Sequence, residues 1–174
     1  MHRCWMRALG LLLGFSGAAA HADDPCPGFK WNVTHERALY AGQAQALTAA
    51  QDARSAPQLA AERLYAISLL PQATLALRVP AGPKSSFEGA FAGFARLNIA
   101  TAGPYRVSLD QPGWIDVVSE QGVIASSDFS GQHGCSAPHK VVQFELPAGG
   151  VLLQLTGITG AHVELTLTRA PAAP

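Results

Sequence analysis

Beyond Glu62 apolar and polar residues alternate along the chain. Tyr65, Ile67 and Leu69 are separated by Ala66 and Ser68, and Leu75, Leu77 and Val79 by Ala76 and Arg78. The same period of two returns at Leu97 and Ile99, at Tyr105, Val107 and Leu109, and at Ile115 and Val117. It continues through Val142, Phe144 and Leu146, then Val151, Leu153 and Leu155, and closes with Val163, Leu165 and Leu167. Alternation of this kind marks strands with one buried and one wetter face. Gly103-Pro104, Pro112-Gly113, Gln121-Gly122, the Pro147–Gly150 run and Gly157–Gly160 punctuate the series about every ten residues. The pattern predicts a mainly β protein of about eight strands over residues 63–169, an antiparallel β-sandwich of jelly-roll-like form, with a closed barrel as the alternative.

The N-terminal part reads differently. Ala38 to Ala61 holds ten alanines, and Leu39, Gln43, Leu47 and Ala50 fall on one helical face. Thr34 is the expected cap, with Glu36 in the first turn, and Ser55-Ala56-Pro57 breaks the segment. Residues 23–62 are therefore expected to form an N-terminal segment with a short helix packed on the sandwich, entered through a strand-like Phe29–Val33. Residues 170–174 are expected to fray.

Residues 1–22 read as a secretory signal peptide: Arg3 and Arg7, an apolar run from Ala8 to Ala20, then Ala20-His21-Ala22 before Asp23. The run is short for a membrane-spanning helix, and no later stretch is long and apolar enough to span. Periplasmic or secreted localisation follows as the expectation. Cleavage removes Cys4 and leaves Cys26 and Cys135, which an oxidising compartment pairs in a disulfide bond. Such a bridge is worth about 4–5 kcal/mol in the chain-entropy model and places the front of the exported chain beside residues 131–138. The competing reading makes Cys135 a metal ligand or free thiol.

Composition narrows the partners. Charged residues are 14% of the chain and hydrophobic ones 48%, which suits a globular domain. Without Arg3 and Arg7, ten basic residues face twelve acidic ones. Nucleic acid thus loses its usual electrostatic driver. An unknown envelope protein, paired along a sheet edge, or a small ligand remains as partner.

The Ala102-Gly103-Pro104-Tyr105-Arg106-Val107-Ser108-Leu109 strand, followed by Trp114-Ile115-Asp116-Val117-Val118 and the Leu146-Pro147-Ala148-Gly149 turn, resembles bacterial pre-peptidase C-terminal domains over roughly residues 86–169. That resemblance implies an accessory or binding module. The chain as a whole is similar to small exported proteobacterial proteins, some of which carry a homogentisate dioxygenase label. Such dioxygenases hold iron through two His and a carboxylate, and that activity is not carried over to this chain.

The densest chemical cluster is His133-Gly134-Cys135-Ser136-Ala137-Pro138-His139. His133 and His139, joined by His35 if the bridge draws it near, form the candidate set for zinc, copper or iron; exposed loop histidines are the plainer reading, with no cofactor. Ser136, Asp128 and the two histidines can be drawn as a catalytic group, but no Gly-x-Ser-x-Gly elbow follows the signal, and Ser126–Ser130 reads as a polar loop. Asp110 and Asp116 stand at polar strand positions, where exposed acids are the default over glycoside chemistry. No catalytic residue is assigned. Trp31 and Trp114, with Phe29, are candidates for an aromatic ligand platform, against packing onto the sandwich. The leading expectation is a non-enzymatic exported binding or accessory protein with ligand-facing loops over Asp128–His139; its rival is a metal-binding protein or metal-dependent oxidoreductase.

Overall fold

The structure, a computed structural model, describes residues 26–171. The expected signal peptide over 1–22 lies outside the described residues, as do 172–174. One α-helix, α1 (Thr34–Tyr40), precedes β1 (Gln45–Thr48), β2 (Gln58–Ala60), β3 (Arg63–Ser68) and β4 (Leu70–Pro71). Then come β5 (Phe91–Ile99), β6 (Gly103–Leu109), β7 (Trp114–Ser119), β8 (Gly122–Ile124), β9 (Ser126–Gly131), β10 (Lys140–Leu146), β11 (Gly149–Ile158) and β12 (His162–Arg169).

These strands form two sheets. The first has the order β1-β3-β12-β6-β10-β9 and the second β2-β5-β11-β7-β8, with β4 also paired to β5. Both sheets are mixed, which corrects the purely antiparallel expectation: β1 runs parallel to β3 and β2 parallel to β5. The reason lies in the alanine-rich segment. The chain leaves β1 in the first sheet, passes through β2 in the second and returns as β3, and such a crossover is what a parallel pair requires.

The period of two marks the core-facing positions. Tyr65, Val107, Phe144 and Leu165 of the first sheet and Leu97, Val117, Leu153 and Leu155 of the second belong to one buried apolar cluster. Full burial of each such side chain contributes about 1.5–3 kcal/mol, so alternation decides which face turns inward.

The outer faces are covered too. Phe94 and Leu152 of the second sheet form a smaller cluster with Ala56, against which Leu75 and Leu77 pack. The expected strand at Leu75–Val79 is irregular chain after a 3-10 turn at Gln72–Thr74. Its Arg78 N–H donates to Gln154 Oε1 (2.8 Å), and Val79 O accepts from Gln154 Nε2 (3.0 Å), so a glutamine side chain takes the place of a neighbouring strand. Over the first sheet lie α1 and the arm before it.

The N-terminal expectations need three corrections. The helix stops at Tyr40, where Gly42 N–H turns back to Leu39 O (2.9 Å), and Leu47 belongs to a strand. Thr34 is the first helical residue and not the cap; Val33 holds that place, and Asn32 Oδ1 accepts the Thr34 N–H (2.8 Å). Phe29–Val33 is irregular. At the other end Ala170 is buried and its N–H reaches Pro104 O (3.0 Å), so order extends past the expected fraying point.

Candidate functional site

Cys26 and Cys135 are bonded, with Cα atoms 6.1 Å apart. Cys135 is therefore neither a free thiol nor a metal ligand. The bridge holds the arm of residues 26–33 along β9 and its following loop. Gly28 N–H donates to Gln132 Oε1 (2.6 Å), Lys30 N–H to Ser130 Oγ (3.0 Å) and Lys30 Nζ to Asp128 Oδ1 (2.7 Å). That last bond draws the Asp128 carboxyl below the usual aspartate range. Ser126–Ser130, expected as a polar loop, is strand β9: the arm and β10 supply the partners that its polar side chains alone do not announce.

Under the arm sits a buried ionic group. Arg106, 5% exposed, stacks its guanidinium 4.6 Å from the Trp31 ring centre. Its Nε donates to Gln143 Oε1 (3.3 Å), its Nη1 to Asn32 O (3.3 Å), and Nη1 lies 3.5 Å from Glu36 Oε1. Glu36 is 2% exposed and also accepts from Thr168 Oγ1 (3.0 Å). Trp31 thus roofs an ion pair, which gives it a packing role.

Trp114 lies elsewhere, at the lip of a cavity of about 200 Å³ lined by Trp114, Ile115, Ser126, Phe129, Lys140 and Val142. Trp31 lines a separate hollow with Pro27, Phe29 and Val33, so the two tryptophans do not share one platform. The cavity spans the seam between β7 of the second sheet and β9–β10 of the first. Its origin is legible in the register. Phe129 is paired with Val142 and Ser126 with Phe144, across a bulge at Gln143/Phe144. Paired residues share a face, and Val142 and Phe144 face the core. Phe129 therefore stands on the inward side of an edge strand, yet it is 62% exposed. The second sheet does not reach far enough to cover it.

The side chains lining the slot are apolar apart from the Ser126 hydroxyl, the Lys140 amine and the Trp114 indole N–H. Lys140 Nζ donates to Gly113 O (2.8 Å) and sits 5.4 Å from the Trp114 ring centre. Burial pushes the Lys140 ammonium below the usual lysine value, against the opposing pull of Asp116. Trp114 Nε1 donates to Asp116 Oδ1 (2.9 Å), and Asp116 Oδ2 accepts from Gln154 Nε2 (3.3 Å). Burial raises the Asp116 carboxyl above the usual range in spite of those bonds. Gly82 lies flat on the indole: a Cβ there would come within 2.0 Å of Trp114 Cδ2, so any side chain would displace the ring. Such a site can hold an apolar body between two rings and offer an ammonium to its polar end.

The histidines divide. His133 and His139 approach, with ring centres 6.1 Å apart, and His139 Nδ1 is 3.0 Å from Cys135 O. His35 instead meets Glu62 Oε2. Among the described residues no three His, Cys, Asp or Glu side chains are grouped to hold a metal ion, so the set of His133, His139 and His35 is not assembled. Asp110 and Asp116 serve different partners, Asp110 accepting the Glu164 N–H (3.0 Å), with burial raising its carboxyl. Among the described residues no helix is long and apolar enough to cross a membrane. Phe129 falls inside the expected ligand-facing span Asp128–His139 without being singled out there, and Lys140 lies one residue beyond it. The signal that could have found them is a phenylalanine amid Ser126–Ser130 and a lysine opening the Val142 strand.

No family model matches the chain, and no curated protein is significantly similar to it.

Proposed function

We propose that this is an exported, non-enzymatic binding module, a jelly-roll-like β-sandwich whose ligand slot lies between Trp114 and Phe129. One observation carries the reading: an inward-facing aromatic side chain left exposed beside a second aromatic, where a ligand would complete the seam. Leaving such a face open forgoes burial that a closed edge would gain. Export is supported by the bridge between the two cysteines that remain after the signal, since disulfides persist in oxidising compartments.

A named probe tests the slot. 3-Phenylpropanol, titrated into ¹⁵N-labelled disulfide-bonded protein, is expected to move the Trp114 indole N–H resonance and the amides of Phe129 and Val142. The expected affinity is on the order of 1 mM, ordinary for a fragment of this size. Phe129→Ser should abolish the response. Shifts confined to the Trp31 arm, or none, would remove the slot as a ligand site.

The approach of His133 and His139 supports a second reading, metal binding. A carbonyl partner at His139 Nδ1 favours the tautomer that leaves Nε2 as the coordinating atom. Stoichiometric zinc or copper, lost in a His133→Ala/His139→Ala double variant, is the result that reading requires; unchanged melting with added metal or chelator retires it.

A further inference from the structure

The polar groups around the slot are not equally satisfied. Asp116 has a donor on each carboxylate oxygen, from Trp114 and from Gln154. Asp128, next along the chain to Phe129, is bonded to Lys30, whose ammonium lies 5.6 Å from the Phe129 ring centre. The Ser126 hydroxyl can turn to suit either a donor or an acceptor. Lys140 is the exception. An ammonium carries three N–H donors, and the hydrogen-bond acceptor it has among the described residues is the Gly113 carbonyl. Its stem lines the same cavity as both aromatic rings, so a molecule seated between the rings meets this amine. Asp116 attracts this ammonium but its two oxygens are taken by Trp114 and Gln154, so Lys140 keeps N–H donors to spare in the recess, and an ionised oxygen there would form a bond stronger than the neutral one it now makes.

Size sets the second limit. About 200 Å³ is below the roughly 300–1,000 Å³ of pockets for drug-sized ligands. The cavity therefore suits a single ring or a short chain. We infer that the slot takes a small organic acid, its apolar body between Trp114 and Phe129 and its carboxylate on Lys140. This inference rests on the slot being a ligand site and adds the chemical class of the ligand.

Three probes of one shape test it: 3-phenylpropionate, 3-phenylpropanol and 3-phenylpropylamine, each titrated at low ionic strength and pH 7 with the Trp114 indole resonance as readout. The acid is expected to bind roughly tenfold tighter than the alcohol, the range of a charge-assisted bond against a neutral one, and the amine weakest. In Lys140→Met, which keeps an apolar stem of similar length, the acid should lose that advantage while the alcohol binds as before. Lys140→Arg should retain it, and the wild-type comparison needs no variant to fold. Equal binding of acid and alcohol, or tighter binding of the amine, overturns the assignment of class and leaves the slot standing. If none of the three moves Trp114, the slot reading fails with it.

Discussion

Trp31 and Trp114 each face a cation, and the two cations differ in how far the protein satisfies them. Arg106 under Trp31 is buried with Gln143, the Asn32 carbonyl and Glu36 around it, and the whole group lies beneath an arm tied down by the Cys26–Cys135 bridge. Lys140 beside Trp114 has the Gly113 carbonyl, in a recess whose far wall, Phe129, stands open. The same pairing of ring and charge is buried among protein partners in one place and opens onto a cavity in the other. On the proposed reading the buried pairing is structural and the open one is the ligand site.

Substitutions under Trp31 should sharpen that contrast most. Arg106→Ala leaves Glu36 buried without its cation and is expected to cost about 3–5 kcal/mol by urea denaturation. The Trp114 indole shift should stay in place in the fraction that remains folded. A loss within 0.5 kcal/mol would mean the arm is not fastened by this pair. Next comes the staple: Cys26→Ser/Cys135→Ser should lose about 2–5 kcal/mol and red-shift the Trp31 emission as the arm loosens. An unaltered melting curve would detach the bridge from the arm's stability.

Alkaline pH supplies a third, smaller effect on the arm side. Tyr40 of α1 donates to Glu164 O (3.3 Å), and burial, aided by the charges of Asp110, Glu164 and Glu36, raises its hydroxyl well above 10.0. A folded-state value above the unfolded one gives stability that is present below pH 10 and lost as pH climbs toward the folded value. Stability should therefore decline above about pH 10, and Tyr40→Phe should flatten that decline in denaturation curves taken from pH 8 to 11.5. An equally steep limb in the variant would refute the assignment. Phe129→Ser is expected to alter stability least, within about 0.5 kcal/mol, because the ring is mostly in water. Its effect should appear in ligand binding instead. A large destabilisation would show that Phe129 is core and not lip.

How much of this the chain announces depends on whether a partner is local. Tyr105–Leu109 and Val163–Leu167 alternate cleanly and lie in β6 and β12, since burying one face of a strand needs only its own pattern. Leu47 reads as part of a helical stripe and lies in β1, where the parallel pairing to Tyr65–Ser68 overrides local preference. Leu75–Val79 alternates like a strand but meets a glutamine side chain, which no period reveals. Cys26 and Cys135 were paired on compartment and count, and their proximity is seen. Trp114 stood out as a large exposed-or-packed aromatic. Its neighbours Phe129 and Lys140 did not, because their meeting depends on a bulge in β10 and on where the second sheet ends.

Soaking crystals of the disulfide-bonded protein with 3-phenylpropionate tests the central claim most directly. Density for the phenyl ring between Trp114 and Phe129, with the carboxylate within about 3 Å of Lys140 Nζ, is the result expected. An empty slot at saturating acid, or the acid seated against Trp31 and Arg106, would contradict it.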